Sequence, residues 1–431
     1  DLRMYDLAII GAGWAGLNCA LRARQLGFKV CLIEKEKLGG TCLNKGCIPT
    51  KTLLHSAKVY NLTKKSSSFG VNIPNSNLDF KSIKARKDSL IQSLNKALES
   101  SLKGIDFISG EAKFKDAHTL IVGSKLIQAN YIVIATGAKP LRPHWLKFNQ
   151  NVVTTEEILE IDYIPENLLI LGGGVIGCEF ASIFNLLGSK IEIVELSDQL
   201  LPHEDKELVK RLESIFKKRG IKVSTSTDAK KIDLKNYDLV LVCLGRVPFF
   251  EGLDLDKLGL YLEENQLAID DRLSTPIKNI FACGDCLGKD MFAHFAKYQG
   301  YLLAEAIILG RDISLELKEA VLPRCIFTEP EFASGGLKVE AIELGREIKI
   351  NTFDFLKIGM SHIVEEKEGL IKIISDKNTD EILGASIIGP LATEIVNIFS
   401  LAIRNHLKVK DLKKTIFTHP TFSEIVIEAL R

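Results

Sequence analysis

Residues 7–16 read Leu-Ala-Ile-Ile-Gly-Ala-Gly-Trp-Ala-Gly, which is an apolar strand followed by a glycine-rich turn into a helix. In a strand–turn–helix unit of this type, the first glycine makes the tight turn and the second lets the backbone approach a pyrophosphate. The third glycine lets helix and strand pack closely, and an acidic residue at the end of the next strand binds a ribose. The pattern predicts a Rossmann-like dinucleotide-binding unit that uses Gly11, Gly13, Gly16 and Glu34.

The same pattern returns 161 residues further along the chain. Residues 168–177 read Leu-Leu-Ile-Leu-Gly-Gly-Gly-Val-Ile-Gly, and in both copies a Glu stands 18 residues after the third glycine. One GxGxxG is a weak signal, and a glycine turn without a ligand is the alternative for either copy alone. Two copies in register, each after a buried strand, are a strong signal. We therefore expect a second dinucleotide, held by Gly172, Gly174, Gly177 and Glu195.

The acidic residue of the second copy also bears on which nicotinamide dinucleotide is bound. A carboxylate binds a free ribose 2′-hydroxyl and repels a 2′-phosphate, which would call for Arg. Residues 195–202 contain neither Arg nor Lys. Glu195 therefore favours NAD(H) over NADP(H).

Two cysteines lie just beyond the first unit, where residues 39–51 read Gly-Gly-Thr-Cys-Leu-Asn-Lys-Gly-Cys-Ile-Pro-Thr-Lys. Thiols beside a bound dinucleotide can exchange electrons with it. On a straight helix, residues five apart have Cα atoms roughly 8 to 9 Å apart, whereas a disulfide needs about 4.4–6.8 Å. Cys42 and Cys47 can pair only if the backbone leaves the helix between them, and Asn44 and Gly46 suit that departure. Two unrelated buried thiols are the alternative.

Composition excludes several classes of function. The 431 residues suffice for two to four domains. The 56 basic and 55 acidic residues form no basic block, so we do not expect nucleic acid as a partner. There is no run of 18 apolar residues, so we expect no membrane span. Nine cysteines in a chain this long are not typical of a secreted disulfide framework. A strand is reached by Tyr5, so we expect no signal peptide and a location in the cytoplasm or an organelle matrix.

The sequence pattern of the chain changes after Leu322. Before it, apolar strands end in Ala-Thr-Gly at 135–137 and in Gly-Asp at 284–285. After it, no glycine fingerprint follows. An apolar strand at 370–374 and an amphipathic helix at 393–406 predict a separate α+β domain.

In this order, the motifs resemble those of the class I pyridine nucleotide-disulfide oxidoreductases, and within them the dihydrolipoamide dehydrogenases. The resemblance covers nearly the whole chain and includes Gly-Arg-x-Pro at 245–248 and His-Pro-Thr-x-Ser-Glu at 419–424. It implies an α/β fold of two Rossmann-like domains, one for FAD and one for NAD, with a C-terminal α+β dimerisation domain. The implied domains are 1–147 with 269–320 for FAD, 148–268 for NAD, and 321–431 for dimerisation. The second unit is shorter than usual between Val223 and Leu239, so we expect a trimmed sheet there.

The resemblance also assigns roles to individual residues. It implies a redox disulfide between Cys42 and Cys47, with Cys42 facing the substrate and Cys47 facing the flavin. Lys51 and Glu179 match an ion pair beside the flavin, although each could be an ordinary exposed charge. The further implied cofactor contacts are Thr136, Gly137, Gly245, Asp285 and Ala293.

Thiol chemistry needs a base, because a thiol with a pKa of about 8.5 is mostly protonated at neutral pH. His419 and Glu424 resemble the family's base and the carboxylate that orients it. In the family this histidine reaches the partner subunit's active site, so a homodimer is implied. A His-Pro turn in a dimer interface is the alternative.

The implied reaction is oxidation of protein-bound dihydrolipoamide with reduction of NAD. The implied partner is the lipoyl domain of a 2-oxo acid dehydrogenase or glycine cleavage complex. An NAD(P)H-dependent disulfide or mercuric reductase is an alternative, but residues 424–431 lack the vicinal cysteines of mercuric reductases. A non-catalytic flavoprotein subunit of a dehydrogenase complex is another.

Two further motifs resemble functional sites and have simpler explanations. Cys283 and Cys286 form a CxxC without a second pair, so we expect no metal site. His294 matches an Ala-His step near the flavin, and a packing or capping role fits it equally well.

Overall fold

The structure is a computed structural model, and it describes residues 2–339 and 347–431 of the chain. The strands are β1 (Leu2–Ile10), β2 (Val30–Glu34), β3 (Asp106–Ser109), β4 (Ala112–Asp116), β5 (Thr119–Val122), β6 (Lys125–Ile134), β7 (Ala138–Pro140), β8 (Val152–Thr154), β9 (Asn167–Leu171), β10 (Lys190–Val194), β11 (Lys222–Ser224), β12 (Leu239–Val242), β13 (Arg246–Pro248), β14 (Leu262–Glu263), β15 (Gln266–Leu267), β16 (Ile280–Ala282), β17 (Arg324–Ile326), β18 (Phe332–Gly336), β19 (Ile348–Asp354), β20 (Leu370–Asp376) and β21 (Ile382–Ile388). The helices are α1 (Trp14–Gln25), α2 (Gly40–Lys45), α3 (Cys47–Lys65), α4 (Phe80–Ser101), α5 (Val175–Leu187), α6 (Lys206–Lys218), α7 (Ala293–Leu309), α8 (Ser314–Lys318), α9 (Gly359–Ile363), α10 (Ala392–Arg404), α11 (Val409–Lys414) and α12 (Glu424–Leu430).

The first sheet has the order β3-β2-β1-β6-β5-β4, and β16 joins it beside β6. Strands β3, β2, β1, β6 and β16 are parallel, whereas β6, β5 and β4 form an antiparallel meander. Helices α1 and α7 pack against each other over this sheet. The packing needs a glycine in α7, because a Cβ on Gly300 would lie 2.0 Å from the carbonyl oxygen of Ala15.

The second sheet has the order β11-β10-β9-β12-β8, and all its strands are parallel. Its centre, β10-β9-β12, repeats the order β2-β1-β6 of the first sheet. The two sheets differ before β12, where two short 3₁₀ turns, Ala229–Lys231 and Leu234–Asn236, stand in place of a meander. The prediction of a trimmed second sheet is confirmed.

The third sheet is antiparallel, with the order β17-β18-β21-β20-β19. Helices α10 and α12 pack on it, and their apolar faces share a core with β20 and β21. The fold class is therefore the predicted one, with two Rossmann-like units and a C-terminal α+β unit. The predicted domain boundaries stay predictions. Within residues 2–339 and 347–431, the helices are too short or too polar to cross a bilayer.

Candidate active site

The first dinucleotide turn joins β1 to α1. Gly11 has φ +104°, and a Cβ there would lie 2.3 Å from the carbonyl oxygen of Ala135. A Cβ on Gly16 would lie 1.9 Å from the oxygen of Gly11, so helix and strand meet closely. Glu34 Oε2 accepts the N–H of Ala12 at 2.8 Å, which holds the carboxylate beside the turn. Both glycines are thus required by close contact, as the fingerprint predicts.

The second turn joins β9 to α5 and repeats this geometry. Gly172 has φ +106°, and a Cβ there would lie 2.4 Å from the oxygen of Cys243. A Cβ on Gly177 would lie 2.0 Å from the oxygen of Gly172. Glu195 Oε2 accepts the N–H of Gly173 at 2.7 Å.

The middle glycines leave room for a ligand. Gly13 and Gly174 are the N-caps of α1 and α5, and a Cβ on either would meet no atom within 4 Å. Backbone N–H groups and the helix dipole make such positions suitable for a pyrophosphate. Within the described part of the chain, the buried hydroxyls of Thr136 and Thr155 have no hydrogen-bond partner. These features fit one dinucleotide at each turn.

Substituting the first glycine of each turn should affect the binding of the two cofactors independently. Gly11→Ala and Gly172→Ala each add a Cβ at positive φ and against a carbonyl oxygen, so each should distort only its own turn. The resemblance implies FAD at the first turn and NAD at the second, and on that assignment Gly11→Ala should lose most of its flavin, whereas Gly172→Ala should stay yellow and bind NAD(H) at least about tenfold more weakly. Flavin absorbance and NADH titration measure both. Equal flavin loss in the two variants would contradict the assignment.

One cavity of about 1580 Å³ connects the two turns. The residues predicted for catalysis or cofactor binding that line it are Gly13, Cys42, Cys47, Lys51, Gly137, Gly172, Gly174, Glu179, Glu195, Gly245, Asp285 and Ala293. The predicted residues outside its lining are Gly11, Gly16, Glu34, Thr136, Gly177, His419 and Glu424.

The two cysteines of this cavity lie on different helices. Cys42 is in α2 and Cys47 begins α3, and Gly46 separates the helices with φ −144° and ψ −114°. The predicted departure from helical geometry is therefore confirmed at Gly46. It is wrong for Asn44, which stays in α2 because its side-chain amide donates to the carbonyls of Leu38 and Gly40, both at 2.9 Å.

Both cysteines are free thiols, and their surroundings make them unequal. The hydrogen bond that Cys42 shares with Cys47, together with burial, raises the pKa of Cys42. The same hydrogen bond lowers the pKa of Cys47 to about 7, with help from the charge of Lys51 and against the effect of burial. Cys47 is therefore the sulfur that carries a thiolate at neutral pH.

A charged pair lies beside Cys47 and joins α3 to α5. Lys51 Nζ lies 2.6 Å from Glu179 Oε2, and Glu179 Oε1 accepts the N–H of Phe327 at 3.0 Å. The Lys51 ammonium also lies 4.7 Å from the centre of the Phe327 ring. Burial alone would lower the pKa of Lys51, but Glu179 and the thiols more than offset it, so its pKa is raised. Lys51 thus stays a cation beside Cys47.

Removing this cation should make Cys47 less acidic. In dithiol enzyme carrying Lys51→Met, the Cys47 thiolate loses a stabilising charge, so its titration midpoint should move above about 7. At pH 7 we expect Cys47 to react with iodoacetamide at least about threefold more slowly. The Lys51→Met/Glu179→Gln double variant is the control, and it should recover part of the rate because Glu179 opposes the thiolate. An unchanged midpoint in Lys51→Met would contradict this account.

The other predicted cofactor residues border the same space. Asp285 follows β16 in a short 3₁₀ turn and is half-buried. Burial raises the pKa of Asp285, and the nearby Arg246 opposes that shift. Gly137 and Gly245 have φ of +71° and +110°, so both mark sharp turns at the cavity wall.

The predicted base and its carboxylate contact each other at the C-terminus. His419 Nδ1 lies 2.8 Å from Glu424 Oε1, and Glu424 Oε2 accepts the N–H of Thr421 at 2.9 Å. Burial raises the pKa of Glu424, but the Thr421 N–H and His419 lower it more, so the carboxylate is favoured. The His419 side chain is 77% exposed and does not line the cavity of its own chain. The His419–Pro420 peptide is cis.

The remaining motifs have structural surroundings. Cys283 and Cys286 are buried free thiols, and the Cys286 thiol donates to the carbonyl oxygen of Cys283 at 3.3 Å. Burial raises the pKa of both thiols. His294 Nε2 lies 2.8 Å from the oxygen of Pro323, and burial lowers its pKa. Over the described ranges 2–339 and 347–431, side chains form no cluster suited to a metal ion.

Sequence reasoning missed two residues that contact the predicted site. Phe327, which lies in the third unit, donates its backbone N–H to Glu179 and has its ring beside the Lys51 ammonium. No local sequence pattern predicts either contact. Trp14 contacts Cys42, and comparing the two fingerprints could have found it, because the second copy has Val175 there.

Comparison with known proteins places these features in one family. Residues 5–300 match the model of the pyridine nucleotide-disulphide oxidoreductases, and residues 322–430 match the dimerisation domain of the same proteins. A dihydrolipoyl dehydrogenase of Bacillus subtilis is 34% identical over 98% of this chain and 97% of its own length. A dihydrolipoyl dehydrogenase of Chlamydia muridarum is 34% identical over 99% and 96%. Among solved structures, the HOCl-induced flavoprotein disulfide reductase RclA from Escherichia coli matches with a TM-score of 0.89, at 29% identity over 99% of both chains.

Proposed function

The chain belongs to the pyridine nucleotide-disulphide oxidoreductase family, and from that premise we propose that it oxidises a protein-bound dihydrolipoyl dithiol and reduces NAD⁺. The family is one of flavoprotein disulfide oxidoreductases, which implies FAD and NAD(P) as cofactors, and its dimerisation domain supports a homodimer. The observation that carries the proposal is that Cys42 and Cys47 share one cavity with both dinucleotide turns. The intact set of site residues argues against a non-catalytic flavoprotein.

The order of the thiol steps follows from the opposite pKa shifts of Cys42 and Cys47. His419 of the partner subunit takes a proton from the entering dithiol, and Glu424 holds its imidazole by the Nδ1 contact. The substrate thiolate attacks the sulfur of Cys42 in the oxidised enzyme, so the bond to Cys47 breaks. Cys47 leaves as a thiolate, which its low pKa and the Lys51 cation favour. FAD, when bound, would accept the electron pair and pass a hydride to the nicotinamide.

The choice of NAD over NADP rests on the surroundings of Glu195. Its two carboxylate oxygens accept the N–H groups of Gly173 at 2.7 Å and Ser197 at 2.8 Å. These bonds hold the carboxylate beside the turn, where it would bind a ribose hydroxyl and repel a phosphate. The Lys338 ammonium lines the same cavity as Glu195 and is paired with Glu204 at 3.0 Å, so its charge is already engaged.

Two curated relatives that match over nearly their whole length are dihydrolipoyl dehydrogenases, which supports a lipoyl substrate. Under this proposal the partner is the lipoyl domain of a 2-oxo acid dehydrogenase or glycine cleavage complex. A disulfide reductase that moves electrons from NAD(P)H to substrate is a second candidate, favoured by the likeness to RclA. The same cysteines serve both directions of electron flow, so the substrate decides between them.

A reductive titration tests the proposal. Flavin-loaded enzyme is mixed anaerobically with dihydrolipoamide alone, and its visible absorbance is followed. We expect prompt loss of the oxidised flavin spectrum and its return when NAD⁺ is added, with one NADH formed per dithiol. Flavin that is bound but unchanged by the dithiol would refute the dehydrogenase proposal.

A further inference from the structure

The residue after the second glycine is where the two dinucleotide turns differ most. It is Trp14 in the first turn and Val175 in the second, whereas the three glycines and the closing Glu are the same. The bond from the closing carboxylate to the turn is also the same, at 2.8 Å and 2.7 Å. Since the second turn has this geometry with valine, the turn itself does not need tryptophan.

The neighbours of the two turns explain the difference. The N–H of Gly39 donates to the oxygen of Ala12 at 2.9 Å, and a Cβ on Gly40 would lie 2.7 Å from the Cα of Gly13. The segment that carries Cys42 therefore lies directly on the first turn. At the matching place of the second turn, the N–H of Leu201 donates to the oxygen of Gly173 at 2.9 Å. The apolar segment that contains Leu200 and Leu201 thus covers the second turn. The segment that carries Cys42 covers the first.

Trp14 lies between this segment and the first core. It is half-buried, packs against the core of the first unit and lines the same cavity as Cys42. Cys47 and burial raise the pKa of the Cys42 thiol, and a hydrogen bond from the Trp14 side chain acts against that rise. An indole N–H can only donate, so sulfur is the acceptor.

We propose that Trp14 is a further catalytic residue, which donates its indole N–H to the sulfur of Cys42 and stabilises that sulfur as a thiolate. The inference rests on the proposed function. In the second half of the thiol exchange, the substrate's free thiolate attacks its own sulfur in the mixed disulfide with Cys42. The bond between that sulfur and Cys42 breaks, the substrate becomes a cyclic disulfide, and Cys42 leaves with the electron pair. At this step the indole N–H stabilises the negative charge that forms on the Cys42 sulfur.

The test measures Cys42 without any turnover. Flavin-loaded enzyme is reduced with dithiothreitol, freed of excess reductant without oxygen, and treated with iodoacetamide across a range of pH. Peptide mass spectrometry then gives separate rates for Cys42 and Cys47. In Trp14→Phe we expect Cys42 to react about threefold to tenfold more slowly at pH 8, with its profile moved to higher pH. The profile of Cys47 should stay in place.

Two other variants keep the test decisive. Trp145→Phe makes the same change at the chain's other tryptophan, which is exposed, and should leave the Cys42 profile unchanged. Trp14→Val installs the residue that the second turn already carries, and should behave as Trp14→Phe. The proposal is overturned if neither Trp14 variant shifts the Cys42 profile, if Trp145→Phe shifts it equally, or if both Trp14 variants lose flavin. A shifted profile in an enzyme that does not oxidise dihydrolipoamide would instead reject only the proposed function.

Discussion

Cys42→Ser is expected to lower dithiol-dependent reduction of NAD⁺ by about a thousandfold or more while FAD stays bound. Serine cannot form the enzyme disulfide, so the substrate thiolate has no sulfur to attack. Cys47→Ser should be equally inactive, because the disulfide again cannot form. The measurement is steady-state NADH formation at equal flavin content.

The matched control is Cys325→Ser. Cys325 is a third free thiol near this site, and burial raises its pKa to about 12, so it is a poor nucleophile. We expect this variant to keep its activity within about twofold. Turnover by Cys42→Ser within tenfold of the native rate would show that the Cys42–Cys47 disulfide does not carry the reaction.

His419→Gln should slow oxidation of the dithiol by about a hundredfold to ten-thousandfold, the range that a positioned general base supplies. Glutamine keeps polarity and approximate size but cannot take a proton. Binding of NAD(H) should be unchanged, since His419 does not line the cavity that joins the two dinucleotide turns. Single-turnover flavin reduction by dihydrolipoamide measures the effect, and NADH titration measures the binding. His406→Gln, at another exposed histidine of the C-terminal unit, should behave as native enzyme.

Mixing subunits shows whether His419 acts across the dimer. A subunit with Cys42→Ser still offers a native His419, and a subunit with His419→Gln still offers a native Cys42. If the base comes from the partner, each mixed dimer contains one complete site. An equal mixture, dissociated and reassociated, should then regain about a quarter of native activity. No recovery, in mixed dimers shown to form, would place the base within one chain.

Local patterns predicted the two dinucleotide turns well. Strand, glycines and closing carboxylate all lie within about one supersecondary unit, so their spacing fixes their contacts. The structure gives Gly11 and Gly172 nearly the same φ and the same close approach to a carbonyl oxygen. The break between the cysteines was predictable for a similar reason, because helix geometry and disulfide geometry conflict over five residues.

Contacts between distant segments were harder to predict. Asn44 was a reasonable place for a break, but its amide donates to the carbonyl of Leu38, just before its own helix, and to that of Gly40, the first residue of the helix. Lys51 and Glu179 are 128 residues apart, and only resemblance to a family paired them. Phe327 reaches the pair from a third unit, so its contact depends on how all three units pack. The positions of His419 and Trp14 likewise follow from packing rather than from spacing.

The most direct test of the account is substrate choice. One preparation of flavin-loaded enzyme is assayed with dihydrolipoamide plus NAD⁺ and with glutathione disulfide plus NADPH, and kcat/KM is compared. Dihydrolipoamide with NADP⁺ and glutathione disulfide with NADH are included to separate the preference for substrate from the preference for nucleotide. We predict that dihydrolipoamide with NAD⁺ exceeds glutathione disulfide with NADPH by at least about a hundredfold. Faster reduction of glutathione disulfide by NADPH would contradict the account.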